Sequence, residues 1–364
     1  MAQIEIRNVS KSFKTGDVLK GVSLSAAEGE IVVVFGPSGT GKTVLLRLIA
    51  GVEEPDAGTI SLQGRDVTDA APETRGVGMA FQNFALFPHM SAFDNIASAL
   101  TARESSADKI KAKVDSVSKL LKIGHVMQHA PRELSNGQKQ RTALARALVS
   151  DPRILLLDDP LRNVDAKLRY EMRLELPSLL KNAGSTVLYV TQDYKEAMAL
   201  GDRIAVLLDG DFVQVASPTE VYLQPATLGV ARLFGDPTLN VVPAEPSLRQ
   251  GQPVFTLGGV SLCLPGHYAH IAGKACMLGI RPEGLAVQDV PCAESFPVEL
   301  VAITPLNEKS VLLLRTADGR ELLAAEPGNE EATRRHGPAY ARFDRDAILV
   351  FDAASGRRIS PNLN

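Results

Sequence analysis

Eight residues, Gly36-Pro37-Ser38-Gly39-Thr40-Gly41-Lys42-Thr43, fit the pattern G-x-x-x-x-G-K-[ST]. Such a loop binds phosphate. Its glycines let backbone N–H groups wrap a β-phosphate, and the helix after it adds the positive end of its dipole. Lys42 then reaches the β- and γ-phosphates, and Thr43 holds Mg²⁺. The flanks suit the motif. Ile31-Val32-Val33-Val34-Phe35 reads as a strand buried on both faces, and Lys42–Ala50 as a helix. The Mg²⁺ site needs a second acidic element. Asp158, at the end of the apolar run Ile154-Leu155-Leu156-Leu157, projects from a strand tip and supplies it.

Further elements must position these groups. Ile4–Val9 alternates as a half-buried strand does, and Val22–Ala26 follows as another. Thr186–Val190 and Ile204–Leu208 repeat the doubly buried pattern. Helical stretches cover Asp108–Leu121, Gly137–Val149, Ala166–Asn182 and Lys195–Leu200. Strands alternating with helices imply an α/β layered domain. After about Pro237 the texture changes. Proline and glycine become frequent, and the apolar runs shorten to Val254–Leu257, Ala275–Ile280, Val311–Leu314 and Ala347–Phe351. This predicts a small all-β domain of barrel type. The expected division is 1–235 for the phosphate-binding domain, 236–242 for a linker and 243–364 for the barrel.

Composition excludes several classes. The 364 residues are 45% apolar and 22% charged, an ordinary globular balance with room for two or three domains. A net charge of −3 gives no bulk argument for nucleic acid. No apolar run approaches the roughly 18 residues of a membrane helix. The opening MAQIEIRNVS lacks the apolar core of a secretory signal. Cys263, Cys276 and Cys292 are odd in number, with no CxxC pair, which argues against a disulfide framework or a strong zinc motif. They read as small buried apolar groups in a reducing cytosol.

Together these residues resemble the nucleotide-binding subunits of ABC transporters, over nearly the whole chain. Leu134-Ser135-Asn136-Gly137-Gln138, followed by Lys139-Gln140-Arg141, is similar to the ABC signature. Phe81-Gln82 resembles the Q-loop, and Ala85–Met90 after it is typical of importers. Asn163-Val164-Asp165 resembles the D-loop, with Asp165 as its acid. Phe13 stands where the family stacks an aromatic on adenine; a core Phe is the competing reading. Leu278-Gly279-Ile280-Arg281-Pro282-Glu283 and Gly235–Asn240 resemble motifs of the added OB-like domain of sugar, polyol and glycerol-phosphate importers.

The resemblance implies a RecA-like P-loop core, a helical subdomain at about 88–150, and an OB-like tail. It implies ATP contacts from Phe13, Gly36, Ser38, Gly39, Gly41, Lys42, Thr43 and Gln82, with Mg²⁺ held by Thr43, Gln82 and Asp158. Ser135, Asn136, Gly137 and Gln138 would serve the partner's ATP, because two such subunits sandwich two nucleotides head to tail. Two transmembrane permease subunits and, indirectly, a periplasmic solute-binding protein are implied, on the cytoplasmic face of a bacterial inner membrane. A groove near Ala85, Leu86 and Phe87 would take a permease helix, though these residues also read as ordinary core. The rival class is a non-transport ABC ATPase.

Three departures matter. Asp159 stands where the family has Glu, and its carboxylate falls short by ~1.5 Å. Gln192 stands where the family has the switch histidine, and it is neutral. Asn136 replaces a signature glycine. Asp159 and Gln192 weaken this chain's own catalytic site, whereas Ser135 and Gly137 serve the partner's. That combination implies one half of an asymmetric heterodimer with a second, different ATPase; a homodimer with slow turnover is the alternative. Beyond these three, Arg162 also departs, standing where the D-loop has Ser, as an exposed arginine or as a contact to the opposing subunit.

Overall fold

Residues 31 to 35 are all buried, and so are 154 to 158 and 186 to 191. Only a strand covered on both faces tolerates such a run. The computed structural model, which describes residues 2–101, 106–292, 294–306, 309–328 and 337–362, forms these into one sheet. The chain divides into two compact units, Met1–Val221 and Tyr222–Asn364.

The first unit opens with β1 (Ala2–Phe13) and β2 (Gly16–Ala27), an antiparallel pair. The buried strand β3 (Ile31–Phe35) comes next, then α1 (Lys42–Ala50). Strands β4 (Ala57–Leu62) and β5 (Arg65–Asp66) complete a sheet of order β2-β1-β4-β5. Then come β6 (Val77–Ala80), α2 (Ala92–Thr101), α3 (Ala107–Leu120) and α4 (Asn136–Leu148), the three helices packing on one another. They fall within residues 88–150, where the sequence pattern leaves α2 unexpected. The unit continues through β7 (Ile154–Asp158), α5 (Ala166–Ala183), β8 (Thr186–Thr191), α6 (Tyr194–Leu200), β9 (Arg203–Leu208) and β10 (Asp211–Ala216).

The central sheet has the order β10-β9-β3-β8-β7-β6, parallel except for β10. Non-consecutive neighbours require helical crossovers, in keeping with the α/β layered domain expected from alternating strands and helices. A single apolar core joins Ile4, Val22 and Ile60 of the antiparallel sheet to Leu45 and Leu46 of α1 and to Val34, Leu156 and Leu188 of the parallel one. Full burial of each such aliphatic side chain stabilises by about 1.5–3 kcal/mol.

In the second unit, α7 (Pro218–Leu223), which begins at the end of the first unit, and α8 (Leu228–Leu233) precede the strands. These are β11 (Asn240–Ala244), β12 (Ser247–Arg249), β13 (Gln252–Leu257), β14 (Val260–Cys263), β15 (Cys276–Ile280), β16 (Leu285–Gln288), β17 (Phe296–Pro305), β18 (Lys309–Thr316), β19 (Glu321–Pro327), β20 (Gly337–Phe343) and β21 (Leu349–Asp352). Three antiparallel sheets, β11-β15-β21, β12-β13-β14 and β16-β20-β17-β18-β19, surround one core containing Val242, Phe255, Leu278, Phe296 and Leu312. This is a nearly closed, OB-like barrel.

The units divide at Val221/Tyr222, ahead of the change in texture near Pro237. Contacts explain the difference. Ala231 shares an apolar cluster with Leu239, Leu349 and Phe351, and Leu228 N–H donates to Gly356 O. The importer-type motif adds to this: Arg281 lies over the Tyr222 ring at 3.6 Å and donates to Phe234 O and Tyr222 O. The cysteine expectation needs one correction. Cys276 is buried and Cys263 half-buried, but Cys292 is exposed, so it is not a small core group.

Candidate nucleotide site

The parallel register sets the site. Phe35 pairs with Thr191, and Asp158 with Val190. The carboxyl ends of β3, β7 and β8 are therefore level, and the segments leaving these strands emerge at one edge. Ligands of open α/β sheets bind at that edge. After β3 comes the phosphate loop, after β7 Asp159 and the turn to Arg162, and after β8 Gln192.

Glycine is required at two loop positions. Gly36 passes so close to β9 that a Cβ would lie 2.3 Å from Leu207 O. Gly41 caps α1 at φ +100°, where a Cβ would also meet Val18 Cγ1 at 2.9 Å. Larger residues would push the loop out of its arc. Lys42 lies back along that arc, with Nζ donating to Gly36 O at 2.8 Å and Pro37 O at 2.6 Å. Burial lowers its pKa, while Asp159 and Asp158 oppose the shift. Thr43 Oγ1 donates to Asp158 Oδ1 at 2.9 Å. Burial raises the Asp158 pKa, against that hydrogen bond.

A cavity of about 280 Å³ opens over the loop. Ser38, Gly39, Gly41, Lys42 and Thr43 line it from the loop side, and Phe13, Gln82, Asp158, Asp159 and Gln192 from the others. Thus the sequence-predicted phosphate, metal, aromatic and degenerate positions meet in one place. Phe13 is 42% exposed, so it is not a core residue. Thr43, Asp158 and Gln82 present hydroxyl, carboxylate and amide oxygens, a donor set that suits a hard divalent cation such as Mg²⁺.

Asp159 is held at φ +43°, its N–H donating to Val190 O at 2.9 Å. It is buried, and burial raises its pKa to about 6 against the nearby Arg162. Gln192 Oε1 accepts from Ser38 Oγ at 2.5 Å. The turn after Asp159 brings Arg162 to the cavity wall as well. The sequence marks Arg162 as a departure, read as an exposed arginine or as a contact to the opposing subunit. What the pattern lacks is the turn that aims the side chain at this chain's own site.

The signature residues lie elsewhere and do not line the cavity. Ser135 and Gln138 form a reciprocal cap on α4: Ser135 Oγ accepts from Gln138 N, and Gln138 Oε1 accepts from Ser135 N. Asn136 starts that helix, and Gly137 lies where a Cβ would meet Leu168 Cδ2 at 2.1 Å. Asp165 caps α5, accepting from Leu168 N at 3.0 Å.

The loop beyond Gln82 is strained and braced. Phe84 and Ala85 both have positive φ, and Arg146 of α4 donates to both of their carbonyls. The same guanidinium lies 5.4 Å from the Phe87 ring, which is 42% exposed rather than core. Two features are not anticipated from sequence: this arginine clamp, and a buried Glu196 accepting from Tyr189 OH and Thr191 Oγ1.

The family described as ABC transporter matches residues 19–162. The sn-glycerol-3-phosphate import ATP-binding protein UgpC of Cereibacter sphaeroides is 40% identical over 359 residues, 99% of this chain and 100% of that protein. The chain belongs to the ABC transporter ATP-binding subunits. Its UgpC relative in Escherichia coli (strain K12) is 37% identical over 361 residues, again 99% and 100% of the two chains. The dimeric structure of MJ0796, a bacterial ABC transporter cassette, superposes with a TM-score of 0.55 at 31% identity, covering 59% of this chain and 98% of that one. A post-hydrolysis state of that cassette bound to ADP and Pi gives a TM-score of 0.54 at 30% identity. This ABC subunit is accordingly an ATP-binding ATPase of a transporter. No helix among its described residues is long and apolar enough to cross a membrane.

Proposed function

We propose that this subunit powers uptake of a small solute through an ABC importer as the weakly hydrolysing half of an asymmetric ATPase pair. One observation carries the reading. Asp159 and Gln192, both departures from the family's hydrolytic groups, line the same cavity as Lys42, Thr43 and Asp158. The machinery that binds nucleotide is intact where the machinery that cleaves it is altered.

In this reading Phe13 stacks on adenine and the loop N–H groups with Lys42 hold the phosphates. Thr43, Asp158 and Gln82 hold Mg²⁺, which when bound neutralises charge on the β- and γ-phosphates. Asp159 orients the attacking water from a carboxylate set back by ~1.5 Å. An error near ~1 Å can lower the rate about 10²-fold. Ser135, Asn136, Gly137 and Gln138 complete the ATP site of a second, different ATPase subunit, and Asp165 fixes the loop between the two. The partners are that subunit, two permease subunits docking near Phe87 at the cytoplasmic face of the membrane, and an external solute-binding protein acting through them. Uptake of sn-glycerol-3-phosphate, named for the relatives, supports a phosphorylated or plain polyol as solute.

A second reading is a homodimer with slow turnover at two identical sites. The Asp159 pKa of about 6 favours it, because such a carboxylate is still a base at neutral pH. Intact mass spectrometry of the complex purified through a tag on this chain separates the two. A second ATPase in equal amount supports the asymmetric pair; two copies of this chain alone, with the permease subunits, overturn it.

A further inference from the structure

Two cations and two carboxylates line the nucleotide cavity: Lys42 and Arg162 face Asp158 and Asp159. Gln192, at the switch position, adds no charge, and its Oε1 is engaged by Ser38. We propose that Arg162 is the cation that grips the γ-phosphate of ATP bound to this chain's own phosphate loop, taking the place of the missing histidine.

The geometry carries this in three ways. First, Arg162 has a braced origin. Its N–H donates to Asp159 O at 3.2 Å, closing the turn after β7, and Arg169 of α5 donates to Arg162 O and Val164 O at 3.3 and 3.0 Å. The turn therefore directs the side chain over its own cavity. Second, the guanidinium is held loosely. Arg162 Nη1 lies 3.8 Å from Asp159 Oδ2, longer than a hydrogen bond, and the side chain is 45% exposed. A phosphate oxygen can compete for it, and the five-donor fork can contact Asp159 and a phosphate at once. Third, the charge balance favours it. Lys42 reaches the phosphates from the loop side, and Arg162 is the second cation among the described residues lining a cavity that also holds Asp158 and Asp159 and must accept a polyanion.

The inference rests on the reading that Gln192 is a weakened γ-phosphate partner. The test is equilibrium binding of Mg-ATP and Mg-ADP to the full chain, held monomeric by dilution and checked by light scattering. The forms compared are wild type, Arg162→Ala, Arg162→Lys and Arg162→Ala combined with Gln192→His. Loss of a hydrogen bond to a charged group should raise the ATP Kd about tenfold in Arg162→Ala, while the ADP Kd stays within about twofold. Arg162→Lys should recover part of the ATP preference, and Gln192→His should restore it in the Ala background. A merely structural arginine would shift both nucleotides together, and a contact to the opposing subunit would leave both unchanged in the monomer. Either outcome overturns the proposal. The subunit composition of the complex, which decides the asymmetric pair, is independent of these ratios.

Discussion

Ser38 in the phosphate loop and Gln192 after β8 are joined directly, Ser38 Oγ donating to Gln192 Oε1 at 2.5 Å. The bond ties the loop to the residue proposed to stand in for a γ-phosphate-sensing histidine. It also fixes what Gln192 can offer. With its carbonyl oxygen engaged, the neutral NH₂ group is the donor left for a phosphate. A protonated imidazole would give a charge-assisted bond, roughly twice as strong.

That difference motivates a restoration experiment. Asp159→Glu with Gln192→His returns the longer carboxylate and the cationic donor to one cavity. Turnover at this site should rise by about 10²-fold, the size of a near-ångström placement error. Each single change should give less, because the two groups act on one transition state. The measurement is phosphate release from the assembled transporter whose other ATPase site is inactivated. No gain from the double variant would remove the account of the site as weakened by these two residues.

Lys42→Ala tests the loop itself. Lys42 Nζ donates to Gly36 O and Pro37 O, so it lies along the loop. Removing it deletes a charge-assisted phosphate contact, and ATP affinity should fall about 10–100-fold. Calorimetric titration with Mg-ATP checks this. An unchanged Kd would mean that Lys42 only braces the loop carbonyls.

Glu196 predicts a pH dependence of stability. Burial raises its pKa from 4.5 to about 7, against the hydrogen bonds from Thr191 and Tyr189. The folded state therefore favours the protonated acid. Its stabilising contribution is full below 4.5 and is lost as pH rises toward and through 7. The loss approaches about 3 kcal/mol at most, since each tenfold change in proton affinity is worth about 1.4 kcal/mol. Glu196→Gln keeps an acceptor for both hydroxyls and cannot ionise. Its melting temperature should fall less than that of the wild type between pH 5 and pH 8. Parallel curves would mean that Glu196 stays charged in the folded protein.

Legibility of the sequence depends on range. Lys42, Thr43 and Asp158 are readable because local patterns fix them: a glycine loop between a buried strand and a helix, and an acid at a strand tip. The bounds of α1 are readable for the same reason. The helix α2 is not, because its start is tied to a segment far along the chain, Ala92 N–H donating to His129 O and Phe93 N–H to Met127 O, both at 2.9 Å. Buried Asn95 donates to Phe87 O, Met90 O and Ser91 O and accepts from Phe87 N–H, tying the preceding loop to the helix. Barrel strands show as short apolar runs, but the order β16-β20-β17-β18-β19 joins residues far apart in sequence, and no local pattern encodes it. Arg162 is visible in the sequence as an oddity. Its direction depends on the left-handed Asp159 and the turn after it.

Phe13 offers the last test, because its exposure separates binding from folding. The ring is 42% exposed at the cavity wall, with Lys11 Nζ 5.5 Å from its centroid. An aromatic stacked on a base contributes about 0.5–1.5 kcal/mol beyond its buried area. Phe13→Ala should therefore weaken ATP and ADP alike, by about threefold to tenfold. It should leave thermal stability nearly unchanged, since little core contact is lost. The equal effect on both nucleotides contrasts with the selective loss of ATP expected for Arg162→Ala. Adenine recognition and γ-phosphate recognition thus separate within one cavity, by ratio as well as by size. A drop in melting temperature with no change in either Kd would assign Phe13 to packing of the β1–β2 turn instead.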